Sequence, residues 1–369
     1  MSVTADMSFP RVGDGSFIEP SDRFHQEELQ LALRNHAVPL EALRYDVTPP
    51  GLHYTLIHYD IPAVDVPAWR LTIGGAVHRQ LTLSLEDLRR RPQTTLRVTL
   101  ECAGDGRALS RPRPISQPWL LGAVGTADWT GTSLSAILRE SQVASGAREV
   151  LFTGLDEGFE GGQRQWYERS LPLDEAMRDD VILAWAMNGA PVAPQHGFPL
   201  RLIAPGWYGM AHVKWLRSIR LLDHEFTGYQ QSTAYRYAST REAVGEPVTL
   251  MRVRSVMIPP GIPDFLTRTR VVQRGPVQLS GRAWSGRSAI RGVAVSLDGG
   301  TSWEDAEVVP QSGPHQWQSW RYDWSAVPGS YQLCCRATDA TGNAQPVEQF
   351  WTARGMGNNL VQRIPVIVV

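Results

Sequence analysis

Over its last hundred residues or so, this chain puts an apolar side chain at every second position, run after run. Val277, Leu279 and Gly281 share one parity, as do Val293, Val295 and Leu297, then Trp320, Tyr322 and Trp324, then Tyr331, Leu333 and Cys335. Period two belongs to a strand with one buried face, because successive side chains of an extended chain point to opposite sides. Turn residues such as Asp298-Gly299-Gly300 break the runs, at the spacing of roughly 8–12 residues that marks packed antiparallel sheets. That pattern excludes a helix bundle and predicts an all-β sandwich. The same parity points Cys335 inward and Cys334 outward.

The earlier residues alternate helix and strand signals, which predicts an α+β domain. Leu29 and Leu33 have helical spacing within a helix over Gln26 to Arg34. Ser84 and Asp87 form a capping box opening a short helix that Pro92 closes. A third helix is expected over Leu134 to Gln142. Leu96, Val98, Leu100 and Cys102 share a parity, so the thiol ends a strand on its buried side and faces the loop Ala103-Gly104-Asp105-Gly106. Further strands are expected at Val150–Thr153, Leu200–Ile203 and Val213–Leu221. Asn188-Gly189 predicts a hairpin after Val181–Met187. Between 225 and 265 proline and glycine accumulate, with Pro259-Pro260-Gly261-Ile262-Pro263 as a rigid connector. Two domains are expected, 1–245 and 246–369.

Composition excludes several partners. Thirty-six basic and 37 acidic residues leave a net charge of −1, so no global field draws nucleic acid or an anionic membrane. The longest apolar run, Val181 to Met187, is far short of the ~20 residues that span a bilayer. The first twenty residues show no basic start followed by an apolar core, which gives an expectation of cytoplasmic location, or periplasmic if a leader has been trimmed. Three cysteines without a Cys-x-x-Cys spacing predict neither a disulfide framework nor structural zinc.

Four places carry chemistry. Cys102 could act as a thiolate, with Arg107 across a flexible loop to stabilise it, or it could be an inert core cysteine. His196-Gly197-Phe198-Pro199-Leu200-Arg201 and His212-Val213-Lys214 bring two histidines, an arginine and the chain's single lysine around Pro205-Gly206-Trp207-Tyr208-Gly209. That set could hold a phosphate or pterin, or form a solvated basic hairpin. Arg34-Asn35-His36 reads by itself as a polar helix end. Asp156, after the turn Gly154-Leu155, reads by itself as a loop aspartate able to accept a ligand's N–H groups.

These segments, together with Glu101-Cys102-Ala103-Gly104, Trp119-x-x-Gly122-Ala123-Val124 and Asn188-Gly189-x-Pro191, resemble the sulfite oxidase family of molybdenum-cofactor enzymes. The likeness runs in order from about residue 30 to the end. Trp284-Ser285-Gly286 and Val295-Ser296-Leu297-Asp298-Gly299-Gly300-x-x-Trp303 resemble that family's dimerisation domain, which implies an immunoglobulin-like sandwich and a homodimer. The resemblance implies Cys102 as the thiolate ligand of molybdenum. It implies Ala32, Leu33, Arg34, Asn35, His36, Asp156, His196, Arg201, His212, Val213 and Lys214 as contacts of molybdopterin. It places Arg34, Arg107 and Arg354 in an arginine-lined substrate funnel, with Trp119 in its wall and Tyr235 as the active-site tyrosine.

The implied reaction is oxygen-atom transfer, sulfite to sulfate, with electrons passed singly to a separate acceptor such as a cytochrome, a quinone or oxygen. No haem is expected in this chain. Sulfite or another small oxyanion is the expected substrate, and nitrate or an S- or N-oxide handled in the reducing direction is the alternative. A cofactor-free β-sandwich binding protein is the non-enzymatic alternative. One departure stands out. The family's animal members carry Ala-Gly-Asn-Arg-Arg after the cysteine, whereas this chain has Ala-Gly-Asp-Gly-Arg, so Asp105 is expected to add negative charge near the funnel.

Overall fold

The computed structural model describes residues 24–240, 242–310 and 313–369. The expectation about a leader rests on residues outside that set. Helix α1 covers Gln26–Arg34, but the leucines do not anchor it. Leu33 is 89% exposed while Glu28 is fully buried and paired with Arg113. An ion pair, not an apolar stripe, fixes the helix.

Ten strands follow: β1 (Leu71–Gly75), β2 (Leu81–Leu83), β3 (Thr94–Glu101), β4 (Val124–Ser133), β5 (Glu149–Glu160), β6 (Gln163–Pro172), β7 (Ile182–Met187), β8 (Ala190–Pro191), β9 (Arg201–Ile203) and β10 (Leu216–Leu222). They make one sheet in the order β2-β1-β10-β5-β6 and another in the order β3-β4-β7-β8, with β9 also on β7. Short helices α2 (Leu85–Arg89), α3 (Leu134–Glu140) and α4 (Leu173–Ala176) support them. α2 opens with the expected capping box: the Asp87 backbone N–H donates to Ser84 Oγ at 3.1 Å, and the Ser84 N–H donates to Asp87 Oδ2 at 2.9 Å. Asn188 and Gly189 turn β7 into β8 with φ of 52° and 79°, the left-handed geometry that makes this dipeptide a hairpin signal.

Strand β3 is buried on both sides over its last four residues, Val98 to Glu101. Val98 and Leu100 pack with Trp129, Ile182 and Ala184. On the opposite face Thr99 Oγ1 accepts the Trp317 backbone N–H at 2.7 Å. Trp317 comes from the C-terminal half, so β3 lies between the two halves and carries Cys102 to their junction.

A ribbon of β11 (Arg236–Tyr237) and β12 (Glu246–Pro247) leads to β13 (Arg254–Met257), β14 (Ile262–Pro263), β15 (Arg270–Val272), β16 (Gly275–Trp284), β17 (Ile290–Ser296), β18 (Glu304–Val308), β19 (Gln318–Ala326), β20 (Gly329–Asp339) and β21 (Gln362–Val368). β18 pairs with both β17 and β19, which joins the strands into one folded path. Leu279, Trp320 and Trp324 then meet Val295, Leu333, Cys335 and Val366 in a shared core. That is the expected sandwich. Cys334 does face away from this core, but it is not outward in the sense of exposed. It is 1% accessible, flanked across the ladders by Ser296 and Arg363.

Candidate active site

Two cavities share Leu56, His58, Cys102 and Tyr235 in their walls. The inner one lies among mostly buried residues. The outer one opens toward exposed Phe159.

The inner wall contains Asp156, His196, Arg201, His212 and Lys214. Asp156 is not in a loop. β5 continues past Thr153 to Glu160, and the register with β6 shifts between Thr153 and Glu157. This bulge re-aims Asp156 into the cavity. Arg201 donates to the backbone oxygens of His196 at 2.8 Å and His212 at 3.3 Å, and its guanidinium lies 4.6 Å from the Trp129 ring centroid. Lys214 Nζ donates to Leu56 O at 2.6 Å and Gln195 O at 3.1 Å. Four buried atoms of the inner lining find no hydrogen-bond partner among the described residues: His53 Nε2, Asp156 Oδ1, His196 Nε2 and Arg201 Nε. Buried polar atoms are ordinarily satisfied, so four around one cavity mark the place of a polar ligand.

The electrostatics agree. Burial lowers His196 to about 2, with His53, Arg201 and Lys214 adding repulsion. Burial also lowers His212 to about 3 and Lys214 to about 7, Arg201 contributing to both. Burial raises Asp156 to about 6 against the pull of Lys214. An anionic ligand bearing N–H donors would satisfy the cations and the carboxylate together. A pterin with a phosphate and a thiolate-seeking metal is such a ligand, so these residues fit molybdopterin. The solvated-hairpin alternative fails because the set is buried.

Cys102 follows the end of β3, and its N–H donates to Ala123 O at 2.8 Å. Burial pushes its thiol up, while Arg107 and the Gly104 N–H favour the thiolate. Gly104 leaves room for the Arg107 guanidinium, which a Cβ there would meet at 2.5 Å from Nη2 and would displace. Asp105 turns away from both cavities. Its Oδ2 accepts from Arg254 Nη1 at 2.8 Å and its Oδ1 from the Ala123 N–H at 2.8 Å. Glu101 Oε1 accepts from the same Arg254 atom at 2.5 Å, and its Oε2 from Trp284 Nε1 at 2.8 Å. The expected negative charge near the funnel is therefore neutralised inside the protein, by an arginine of β13.

The outer wall contains Arg107, Trp119, Tyr235 and Arg354. Arg107 Nε donates to Arg354 O at 2.9 Å, and Nη1 donates to Gln117 O at 3.1 Å and Ser116 Oγ at 3.2 Å. Tyr235 follows a single wide π turn at Gln230–Ala234, and burial pushes its hydroxyl up, Cys102 and Glu160 adding to the shift.

Six expected residues do not line either cavity. Ala32, Leu33, Arg34 and His36 are exposed, Asn35 is buried behind the wall, and Val213 lies in the main core. Arg34 donates to Tyr59 O at 2.7 Å, and Asn35 accepts the Ile57 N–H at 2.7 Å. His36 bridges to Thr55, so the segment 53–59 stands in front of 32–36 and supplies the wall instead. His53, Tyr54, Leu56, Ile57, His58 and Tyr59 are all lining residues, and none was anticipated. Two histidines and two tyrosines between 53 and 59 were the available signal.

Residues 58–230 match the oxidoreductase molybdopterin binding domain, and residues 246–369 match the Mo-co oxidoreductase dimerisation domain. Chicken sulfite oxidase is 34% identical over 330 residues, covering 84% of this chain and 71% of that protein. An NADH nitrate reductase of Brassica napus is 31% identical over 366 residues, covering 89% of this chain and 40% of that protein. The sulfane dehydrogenase SoxCD of Paracoccus pantotrophus superposes with a TM-score of 0.77 at 28% identity, over 89% of this chain and 82% of that one. The chain spans 62% of the length of the mammalian sulfite oxidases it matches. With a thiol where a buried, cation-lined cavity meets an arginine-bearing one, and with these likenesses along nearly its whole length, the chain belongs to the sulfite oxidase family.

Proposed function

We propose that the protein is a molybdenum-cofactor oxidoreductase that oxidises sulfite to sulfate, passes two electrons to an external acceptor and acts as a homodimer. The observation that supports this is the junction of the two cavities at Cys102 and Tyr235. Molybdopterin, when bound, supplies two-electron redox chemistry and oxygen-atom transfer. Asp156 accepts N–H bonds from the pterin, and Lys214, Arg201 and the neutral His196 hold its phosphate end. Cys102 offers a soft thiolate to the metal. Arg354 and Arg107 draw an oxyanion into the funnel and keep its charge balanced as sulfate forms. Tyr235, its hydroxyl kept protonated, donates a hydrogen bond at the point where funnel and thiol meet. Turnover follows sulfite + water → sulfate + 2 H⁺ + 2 e⁻. Haem-free electron transfer to a cytochrome, quinone or oxygen, and a cytoplasmic location, belong to the same proposal.

Sulfite-dependent ferricyanide reduction by protein of measured molybdenum content tests it. Wild type should turn over, and Cys102→Ser should lose activity by at least a hundredfold while keeping its thermal unfolding profile. No turnover on a loaded site would discard the sulfite reading. Nitrate in the reducing direction is the second reading, supported by the nitrate reductase likeness. A cofactor-free binding protein is disfavoured by the four unpartnered atoms around the inner cavity.

A further inference from the structure

Strand β6 puts Tyr167, Arg169 and Leu171 on one side, at the every-second-residue spacing of a core-facing row. Tyr167 and Leu171 belong to the main core, and Arg169 between them is 3% exposed. An arginine in such a row is the exception, because a buried guanidinium is ordinarily paired with a carboxylate. Arg169 makes no ion pair among the described residues. Glu149 pulls on it only from a distance, and spends Oε2 on Ser170 Oγ at 2.7 Å and the Phe226 N–H at 2.9 Å. Arg169 Nε has no hydrogen-bond partner among the described residues. A buried cation left so poorly satisfied calls for an explanation.

What the guanidinium does meet is Tyr235. Its Cζ lies 5.4 Å from the phenol ring centroid, within cation–π range. Arg169 Nη1 donates to Gln230 O at 2.6 Å, and the Tyr235 N–H donates to the same oxygen at 3.3 Å. The next residue of β6 clasps the same turn: the Ser170 N–H donates to Gln231 Oε1 at 3.2 Å, and Gln231 Nε2 donates to Ser170 Oγ at 2.6 Å. The wide turn Gln230–Ala234 that delivers Tyr235 is thus bound to β6. Tyr235 lines both cavities, whereas Arg169 lines neither, so the cation stands behind the ring. Burial, Cys102 and Glu160 push the Tyr235 hydroxyl up, and Arg107 and Arg169 pull against them.

Resting on the role given to Tyr235 above, we infer that Arg169 is a positioning residue for that tyrosine: its guanidinium fixes the turn through Gln230 O, holds the phenol where the cavities meet, and keeps a positive charge against the back of the ring. A cation there draws electron density away from the phenol oxygen, so the hydroxyl donates a stronger hydrogen bond to an oxyanion in the funnel. The burial that makes an unpaired arginine costly also leaves its charge little screened.

Molybdenum-loaded protein is carried through a double-mutant cycle with Tyr235→Phe, read by sulfite kinetics per molybdenum and by calorimetric binding of sulfate without acceptor. Arg169→Gln keeps a donor for Gln230 O and drops the charge. It should lower kcat/KM about tenfold while the hydroxyl is present and less than about twofold once it is gone. Sulfate binding should weaken about fivefold in the first background and stay within about twofold in the second. Arg169→Lys, which keeps the charge, should recover most of both losses. If Arg169→Gln does not fold, Arg169→Leu, which matches the row it stands in, takes its place with the same expected results. Equal losses with and without the hydroxyl, in either readout, assign Arg169 to packing alone and overturn the inference; so does wild-type behaviour of the singly substituted chain. Full kcat/KM in Tyr235→Phe overturns the role given to Tyr235 and the inference with it. A loaded site that turns over no sulfite discards the sulfite reading alone, and the sulfate cycle then decides the inference.

Discussion

Arg254 holds two buried carboxylates, Glu101 and Asp105, on either side of Cys102. Burial raises Glu101 to about 7 and raises Asp105 as well, with Arg254 pulling both back. Removing one partner of a buried ion pair strands the other's charge, at a cost of roughly 3–5 kcal/mol. Arg254→Met should therefore lower urea-unfolding stability by about that much and reduce molybdenum content per chain. Unchanged stability would show that the carboxylates do not depend on it. Lys214 gives a pH signature. Its folded value, lowered from 10.5 to about 7, means the unfolded chain binds more protons between those values. Its contribution to the stability of cofactor-free protein is thus full above pH 10.5 and lost as pH falls through 7. Asp156, raised from 3.8 to about 6, contributes below pH 3.8 and loses that contribution as pH rises through 6. Comparing thermal unfolding at pH 7 and pH 9.5, Lys214→Met should flatten the rise seen in wild type; an equal rise in both would remove Lys214 as its source. At this scale Cys102 and the His196–Arg201 and His212–Lys214 segments stood out by their own chemistry, whereas Asp156 read by itself as a loop aspartate and was pointed to only by the family resemblance; His196, Arg201, His212, Lys214 and Asp156 line the inner cavity together with Cys102. Arg34, Asn35 and His36 line neither cavity, and nothing in a motif reveals that residues 53–59 supply the wall beside them.

Among the elements, turns and caps were legible and bulges were not. Asn188-Gly189 and Ser84-x-x-Asp87 each state their geometry locally. The bulge that carries Asp156 depends on β6 running alongside, so β5 read as a short strand and a loop. Alternation likewise found one buried face of β3 and of β20, and missed the second, which another strand or the other half of the chain covers. Two glycines separate backbone strain from crowding. At Gly189 a Cβ meets nothing within 4 Å, so only the φ of 79° opposes a side chain. Gly189→Ala should cost about 1 kcal/mol in urea unfolding. At Gly131 a Cβ would overlap the Leu183 carbonyl oxygen, and Gly131→Ala should cost well over twice as much, because the backbone of β7 must move. Equal losses at the two sites would refute the distinction.

The whole molecule is tied together across its two halves. Trp284, Trp317 and Met356 belong to the same core as Leu71, Phe152 and Ile219. The Mo-co dimerisation match covers the sandwich, and sedimentation at micromolar concentration should give twice 41.0 kDa; a species of the single-chain mass would count against a dimer. The sandwich was legible from alternation alone, whereas its role as part of the site wall was not, since that role lies in contacts between residues 149 and 247 positions apart. Those contacts also set an order for making the protein. The loop after Cys102 is held by Arg254, by Arg354 O on Arg107, by the Gly357 N–H on Ala103 O at 2.7 Å and by Asn358 Nδ2 on Gly106 O at 2.9 Å. While Arg354 to Asn358 are still untranslated, Arg254 is the one of these supports that the loop has, and the funnel lacks one wall. The site is thus completed only once Asn358 has been made, and a chain released before Arg354 would carry every inner-cavity residue yet lack the Arg354, Gly357 and Asn358 contacts that steady the loop after Cys102.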